Sequence, residues 1–87
     1  MPLVAGRVLD AKGVPVEHAR VAFADAPVAV PDIAILTGAD GRFALGAPAP
    51  GRYELLAATD ELDARVAVDV RGDEPVEVDI TLEEERR

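Results

Sequence analysis

The sequence lacks several residue types on which catalysis and ligand binding often depend. It contains no cysteine, serine, asparagine, glutamine or tryptophan, and it has a single histidine, His18, and a single lysine, Lys12. Without cysteine there are no disulfide bonds and no thiolate metal sites, and the redox compartment is left open. The other missing side chains weigh against several functions considered below.

Basic residues are also scarce. The sequence has nine Lys and Arg residues against seventeen Asp and Glu residues, so its formal net charge is −8 at pH 7. Nucleic acids and anionic membrane surfaces attract proteins mainly through basic surface, so we expect neither nucleic-acid binding nor membrane insertion. The simplest interpretation of the acidic balance is solubility, and a basic partner surface is the alternative.

Long apolar runs are absent. No stretch approaches the roughly 20 residues that a membrane-spanning helix needs. The start of the sequence has no basic segment followed by an apolar run, so we expect no signal peptide. The compartment is unknown on this basis, and cytoplasmic if the chain is full length.

The residues that are present favour β-structure. The 87 residues suffice for one core, and 49% of them are apolar, mostly Ala and Val. The alanines show no 3.6-residue period, whereas Val, Ile and Thr favour pleated strands. We predict an all-β fold, an antiparallel Ig-like or transthyretin-like sandwich of about seven strands. The predicted domain covers residues 1–82 and a charged tail covers 83–87, with strands near 3–9, 20–24, 33–37, 42–45, 52–59, 65–71 and 76–82.

Two turns organise the middle of the chain. Asp40-Gly41 is typical of a type I′ hairpin turn, in which glycine supplies a positive φ. Pro48-Ala49-Pro50-Gly51 is predicted to be a rigid elbow between strands, because proline cannot donate to a central ladder. We interpret Asp40, Gly41, Pro50 and Gly51 as turns that define the fold.

The order and spacing of several short motifs resemble those of a known family. They are Gly6-Arg7-Val8, Gly13-Val14-Pro15-Val16, Ala19-Arg20-Val21, Thr37 with Asp40-Gly41-Arg42-Phe43, and Pro50-Gly51-Arg52-Tyr53-Glu54-Leu55. Over about residues 3–82 this pattern resembles the carboxypeptidase regulatory-like domain. The resemblance implies a transthyretin-like sandwich and a non-catalytic module of the kind attached to peptidases, transporters, adhesins or secreted enzymes.

Active sites known from related sandwiches do not carry over to these residues. Hydrolysis of 5-hydroxyisourate needs several histidines and a serine-containing motif, and intradiol dioxygenases need two Tyr and two His on iron. A Lys–Asn crosslink needs an asparagine, and Lys12 is expected in a turn. Tryptophan platforms for carbohydrate are absent, and Tyr53 is predicted to be a core residue whose hydroxyl bonds to backbone. We therefore expect no enzyme activity, no catalytic residue and no cofactor.

Two further features have a functional and a simpler interpretation. His18 could ligate a metal or act as a base, but without a second His or a Cys we predict a surface or loop residue. The acidic turns at Asp60-Glu61 with Asp63 and at Asp73-Glu74 supply oxygen ligands. They lack the spaced set with glycine of a calcium loop, so we predict solvated turns and no metal site.

The main site hypothesis concerns apolar residues on an outward face. If Tyr53, Leu55 and Ala57 point inward, alternation sends Leu56 and Ala58 outward. An outward Leu56 beside Leu36 predicts a partner patch of Leu36, Leu56 and Ala58. A bulge, or a strand covered on both faces, is the equally weighted alternative.

The sequence thus favours a non-catalytic structural or protein-interaction module, such as a small accessory subunit of a larger assembly, that binds a protein partner or self-associates. The alternative is a carbohydrate- or Ca²⁺-binding accessory domain excised from a secreted enzyme.

Overall fold

The computed structural model of the protein describes residues 2–30 and 33–82. The described residues form seven strands and no helix: β1 (Leu3–Asp10), β2 (Arg20–Asp25), β3 (Ile35–Leu36), β4 (Arg42–Gly46), β5 (Gly51–Ala58), β6 (Asp63–Val70) and β7 (Val76–Leu82). The predicted strand near 33–37 is shorter than expected, and β6 begins two residues earlier. The predicted charged tail, 83–87, lies outside the described residues.

The strands form two sheets that pack face to face. One sheet has the order β4-β1-β7 and the other has the order β3-β2-β5-β6. This architecture confirms the predicted all-β sandwich. All pairs are antiparallel except β1 with β7, which run parallel over Val4–Asp10 and Val76–Leu82. The two ends of the domain therefore lie side by side in one sheet.

The core lies between the sheets and follows the two-residue period of each strand. Tyr53, Leu55 and Ala57 are fully buried, whereas their neighbours Leu56 and Ala58 are only half-buried. Alternation places successive side chains on opposite faces, so β5 contributes every second residue to the core. The other buried apolar residues are Val4, Val8, Ala19, Val21, Phe43, Leu45, Ala47, Val68, Val70, Ile80 and Leu82.

The turn at Asp40-Gly41 differs from the prediction. Gly41 has a φ of 76°, but Asp40 is not among the positive-φ residues, so the turn is not type I′. It also connects β3 and β4, which belong to different sheets, so it does not close a hairpin. Instead, Gly41 N–H donates to Gly38 O at 2.9 Å and Arg42 N–H donates to the Asp40 carboxylate at 3.1 Å. A Cβ on Gly41 would lie 2.7 Å from the Val8 carbonyl oxygen, so glycine is needed for space as well as for φ.

The proline elbow lies between two strands, as predicted, and the structure shows that it carries the chain from one sheet to the other. β4 ends at Gly46 and β5 begins at Gly51, which has a φ of 140°. The buried Tyr53 fixes this corner, because its hydroxyl donates to Ala49 O at 2.6 Å and accepts from Ala49 N–H at 3.2 Å. The sequence-based expectation of a core tyrosine with a backbone partner is confirmed.

Candidate functional site

The predicted patch lies on the outer face of the four-stranded sheet. Leu36 is 61% exposed at the end of β3, and Leu56 and Ala58 are half-buried on β5. No register shift occurs along the β5–β6 pairing, so alternation alone turns these two β5 residues outward. The bulge that was the alternative explanation occurs in β2 instead, between Phe23 and Asp25.

Strand β2 separates Leu36 from the β5 residues, so the expected side-by-side contact of Leu36 with Leu56 is wrong. Arg20 lies between Leu36 on one side and Ala58 on the other, and Ala22 is the partner of Leu56 in the next row. The surface is therefore a row of aliphatic groups crossed by one arginine rather than a continuous apolar patch.

Charged side chains lie within this row and beside it. The Arg20 guanidinium lies 3.5 Å from the Asp60 carboxylate. On the β6 side, Arg65 is the register partner of Leu56 and donates to the Glu54 carboxylate at 3.1 Å. Arginine is enriched in protein-interaction surfaces, so aliphatic groups with arginines among them are compatible with such a surface.

The same sheet carries an open cleft near the β2 bulge. Its volume is about 260 Å³, and charged residues, small residues and one tyrosine line it: Asp25, Ala26, Pro27, Arg52, Tyr53, Glu54 and Ala67. Its carboxylates and its arginine give it mixed charge rather than a preference for one class of ligand. It differs from the largely apolar pockets in which small molecules bind.

The candidate metal and catalytic residues are dispersed. His18 is exposed in the loop before β2, where its φ is 64° and its Nε2 lies 3.6 Å from Glu17. The acidic turn predicted after β5 is held by a hydrogen bond that the Thr59 hydroxyl accepts from Leu62 N–H at 3.1 Å. Within residues 2–30 and 33–82, no three His, Cys, Asp or Glu side chains are grouped so that they could hold a metal ion.

Hydrogen bonds within its own turn hold the carboxylate of Asp10. Its carboxylate accepts hydrogen bonds from Val14 N–H at 2.9 Å and Lys12 N–H at 2.8 Å. The bond from Val14, followed by that from Lys12, lowers the pKa of Asp10 from its ordinary value of 3.8. Both donors are backbone groups of one exposed turn, so this acidity serves the turn and points to no reaction.

Sequence reasoning missed the part that Thr37 plays beside the patch. Thr37 is buried, and its hydroxyl accepts from Ala19 N–H at 2.9 Å and donates to Val16 O at 2.6 Å. Its backbone exchanges hydrogen bonds of 3.0 Å with Ala19 O and His18 N–H. The residue next to Leu36 is thus fixed to the start of β2, and the signal available in the sequence was a polar residue directly after an apolar pair.

The seven strands in two facing sheets define an all-β, Ig-like sandwich domain. The model of the carboxypeptidase regulatory-like domain matches residues 4–83, so the chain belongs to that family. None of the curated proteins matches the chain. In the described part of the chain, no helix is long and apolar enough to cross a membrane.

Proposed function

We propose that this chain is a protein-interaction module that serves as a small accessory subunit of a larger assembly. Its family consists of non-catalytic modules, which supports a binding role in general terms. The observation that carries the specific proposal is Leu36, which is 61% exposed on the same sheet face as Leu56 and Ala58. We call these three residues the aliphatic patch.

A protein partner fits this surface better than a small ligand does. The patch lies on a sheet face. Arg20, which pairs with Asp60, lies between Leu36 and Ala58, and the Arg65–Glu54 pair lies beside Leu56. All three aromatic residues of the chain are buried or half-buried, so the face offers no exposed ring on which a sugar could stack. Aliphatic side chains and an arginine on one sheet face instead favour a protein partner that covers them and excludes water.

The test compares one substitution on each outer face of the sandwich. Leu36→Glu introduces a charge into the patch. Leu3→Glu makes the same change on β1, in the other sheet, where the leucine is 50% exposed. Both variants should unfold at nearly the same urea concentration as the native chain, since exposed substitutions usually change stability by about 0.5 kcal/mol or less.

The native chain serves as bait in an extract of its source cells, and a captured protein is then purified and titrated by calorimetry. We expect Leu36→Glu to weaken that purified interaction at least about tenfold and Leu3→Glu to leave it unchanged. Equal affinity of all three chains, or equal loss in both variants, would contradict the proposed role of the patch.

A further inference from the structure

Strand β6 forms an open edge of the four-stranded sheet. It pairs with β5 through all eight of its residues, without a register shift, and no described strand pairs with its other side. An unpaired strand edge presents N–H and C=O groups to which another strand can bond. Proteins usually protect such edges with proline, bulges, short strands or charged side chains. Asp63–Val70 is eight residues long, has no proline and pairs without a bulge, and its charged side chains alternate in sign.

The charges along this edge have a self-complementary pattern. The outward residues read Asp63, Arg65, Ala67, Asp69 and then Arg71 just beyond the strand. If this series is read in the reverse direction with Ala67 kept at the centre, every acidic position coincides with a basic one. A second copy that runs antiparallel, with Ala67 opposite Ala67, therefore places Arg65 opposite Asp69 and Asp63 opposite Arg71, twice each.

Other registers of an antiparallel β6–β6 pair do not place opposite charges across from each other in this way. Residues that are opposite each other in an antiparallel pair share a face, so only shifts by two residues keep the apolar side of β6 toward the core. One such shift places Asp63 opposite Asp69, and the other places Arg65 opposite Arg71. Like charges that are directly opposite each other destabilise a pair of strands.

Strand β7, at the edge of the three-stranded sheet, does not have this alternation of charge. The outward residues of β7 are Glu77, Asp79 and Thr81, which include no base, so a β7–β7 pair would bring acids together. In a chain with a net charge of −8, general repulsion opposes self-association. The alternating signs on β6 are the local feature that can offset this repulsion.

We propose that two copies of this chain associate through β6, which joins their four-stranded sheets into one eight-stranded antiparallel sheet. This inference rests on the proposed function and names a second copy of the chain as one of the module's partners. The two-fold axis runs perpendicular to the sheet, so both aliphatic patches face the same side. The dimer thus presents two binding surfaces to a larger partner.

The test uses charge reversal at the two central pairs. Asp69→Arg makes both pairs repulsive between identical chains, and so does Arg65→Asp. A mixture of the two variants restores opposite charges at both pairs, but only in the mixed dimer. Glu17→Arg, in the exposed loop before β2, is the control with the same change in net charge as Asp69→Arg.

Masses are measured by light scattering over a concentration series, and the mixed dimer is detected by native mass spectrometry. We expect the native chain and Glu17→Arg to reach twice the 9.1 kDa chain mass. Each β6 variant alone should dimerise at least about tenfold more weakly, and the mixture should recover the native affinity. A native chain that is monomeric at every concentration, or a mixture that does not recover, would overturn the proposal.

Leu36→Glu in the same series separates this inference from the proposed function. The patch does not lie at the β6 edge, so this variant should dimerise as the native chain does. If Leu36→Glu loses the dimer and Asp69→Arg keeps it, the copies associate through the patch. The β6 proposal is then overturned, whereas a patch that binds proteins is supported.

Discussion

At the scale of single residues, one buried hydroxyl holds the patch in position. Thr37 is the only buried polar residue of the described chain, and its side chain both donates and accepts a hydrogen bond. Buried polar groups that lose their partners cost about 1–3 kcal/mol each. The position of Leu36 therefore depends on a residue that contributes no surface of its own.

Replacing Thr37 by valine tests this dependence. The substitution keeps the shape but leaves Ala19 N–H and Val16 O without their partner, so we expect the free energy of unfolding to fall by about 2–4 kcal/mol. Thr37→Ser retains the hydroxyl and should lose only about 1 kcal/mol for the missing methyl group. Urea unfolding of the three proteins measures the difference, and a valine variant at least as stable as the serine variant would refute the assignment.

The outward orientation of Leu56 and Ala58 could be predicted from the sequence, because the two-residue period of β5 is local information. Their arrangement relative to Leu36 could not. Whether Leu36 touches Leu56 depends on the pairing order β3-β2-β5, which inserts Arg20 and Ala22 between them. Period and burial are encoded within a strand, whereas neighbours across a sheet are determined by pairing between distant segments.

At the scale of strands, the parallel contact of β1 with β7 depends on a close approach of two backbones. Gly6 pairs with Phe43 on one side and Val78 on the other. A Cβ on Gly6 would overlap the backbone carbonyl of Val78, so any side chain at this position would force β1 and β7 apart. The glycine was visible in the sequence, but the strand that it faces was not.

Gly6→Ala should therefore be among the most damaging small substitutions in the chain. The new methyl group would meet a backbone carbonyl, which cannot rotate away as a side chain can. We therefore expect the free energy of unfolding to fall by about 3 kcal/mol, the upper end of the usual range for overpacking. Gly38→Ala is the matched control, since its Cβ would meet only the Asp40 carboxylate at 3.3 Å. Thermal unfolding compares the two variants. An equal effect of both alanines would show that the close approach of β1 and β7 does not exclude a side chain at position 6.

At the scale of the whole molecule, the last strand, β7, completes the three-stranded sheet. The strongly alternating segment 76–82 was predicted as a strand with its observed bounds, but no local signal indicates that it pairs in parallel with the first strand. Its position places Ile80 and Leu82, each 2% exposed, against the core. The two ends of the domain must meet before this part of the core forms, and such long-range pairing is slow to form.

A fragment that ends at residue 74 tests whether the remaining six strands are stable. Losing Ile80 and Leu82 removes about 3–6 kcal/mol of burial, which is comparable with the total stability of about 4–13 kcal/mol for a chain of this size. We expect the fragment to show no cooperative unfolding transition by circular dichroism. A synthetic peptide of residues 75–82 should restore that transition, and the same peptide with Ile80→Glu should not. A fragment that unfolds cooperatively by itself would show that β7 is an addition to the sandwich rather than the strand that completes it.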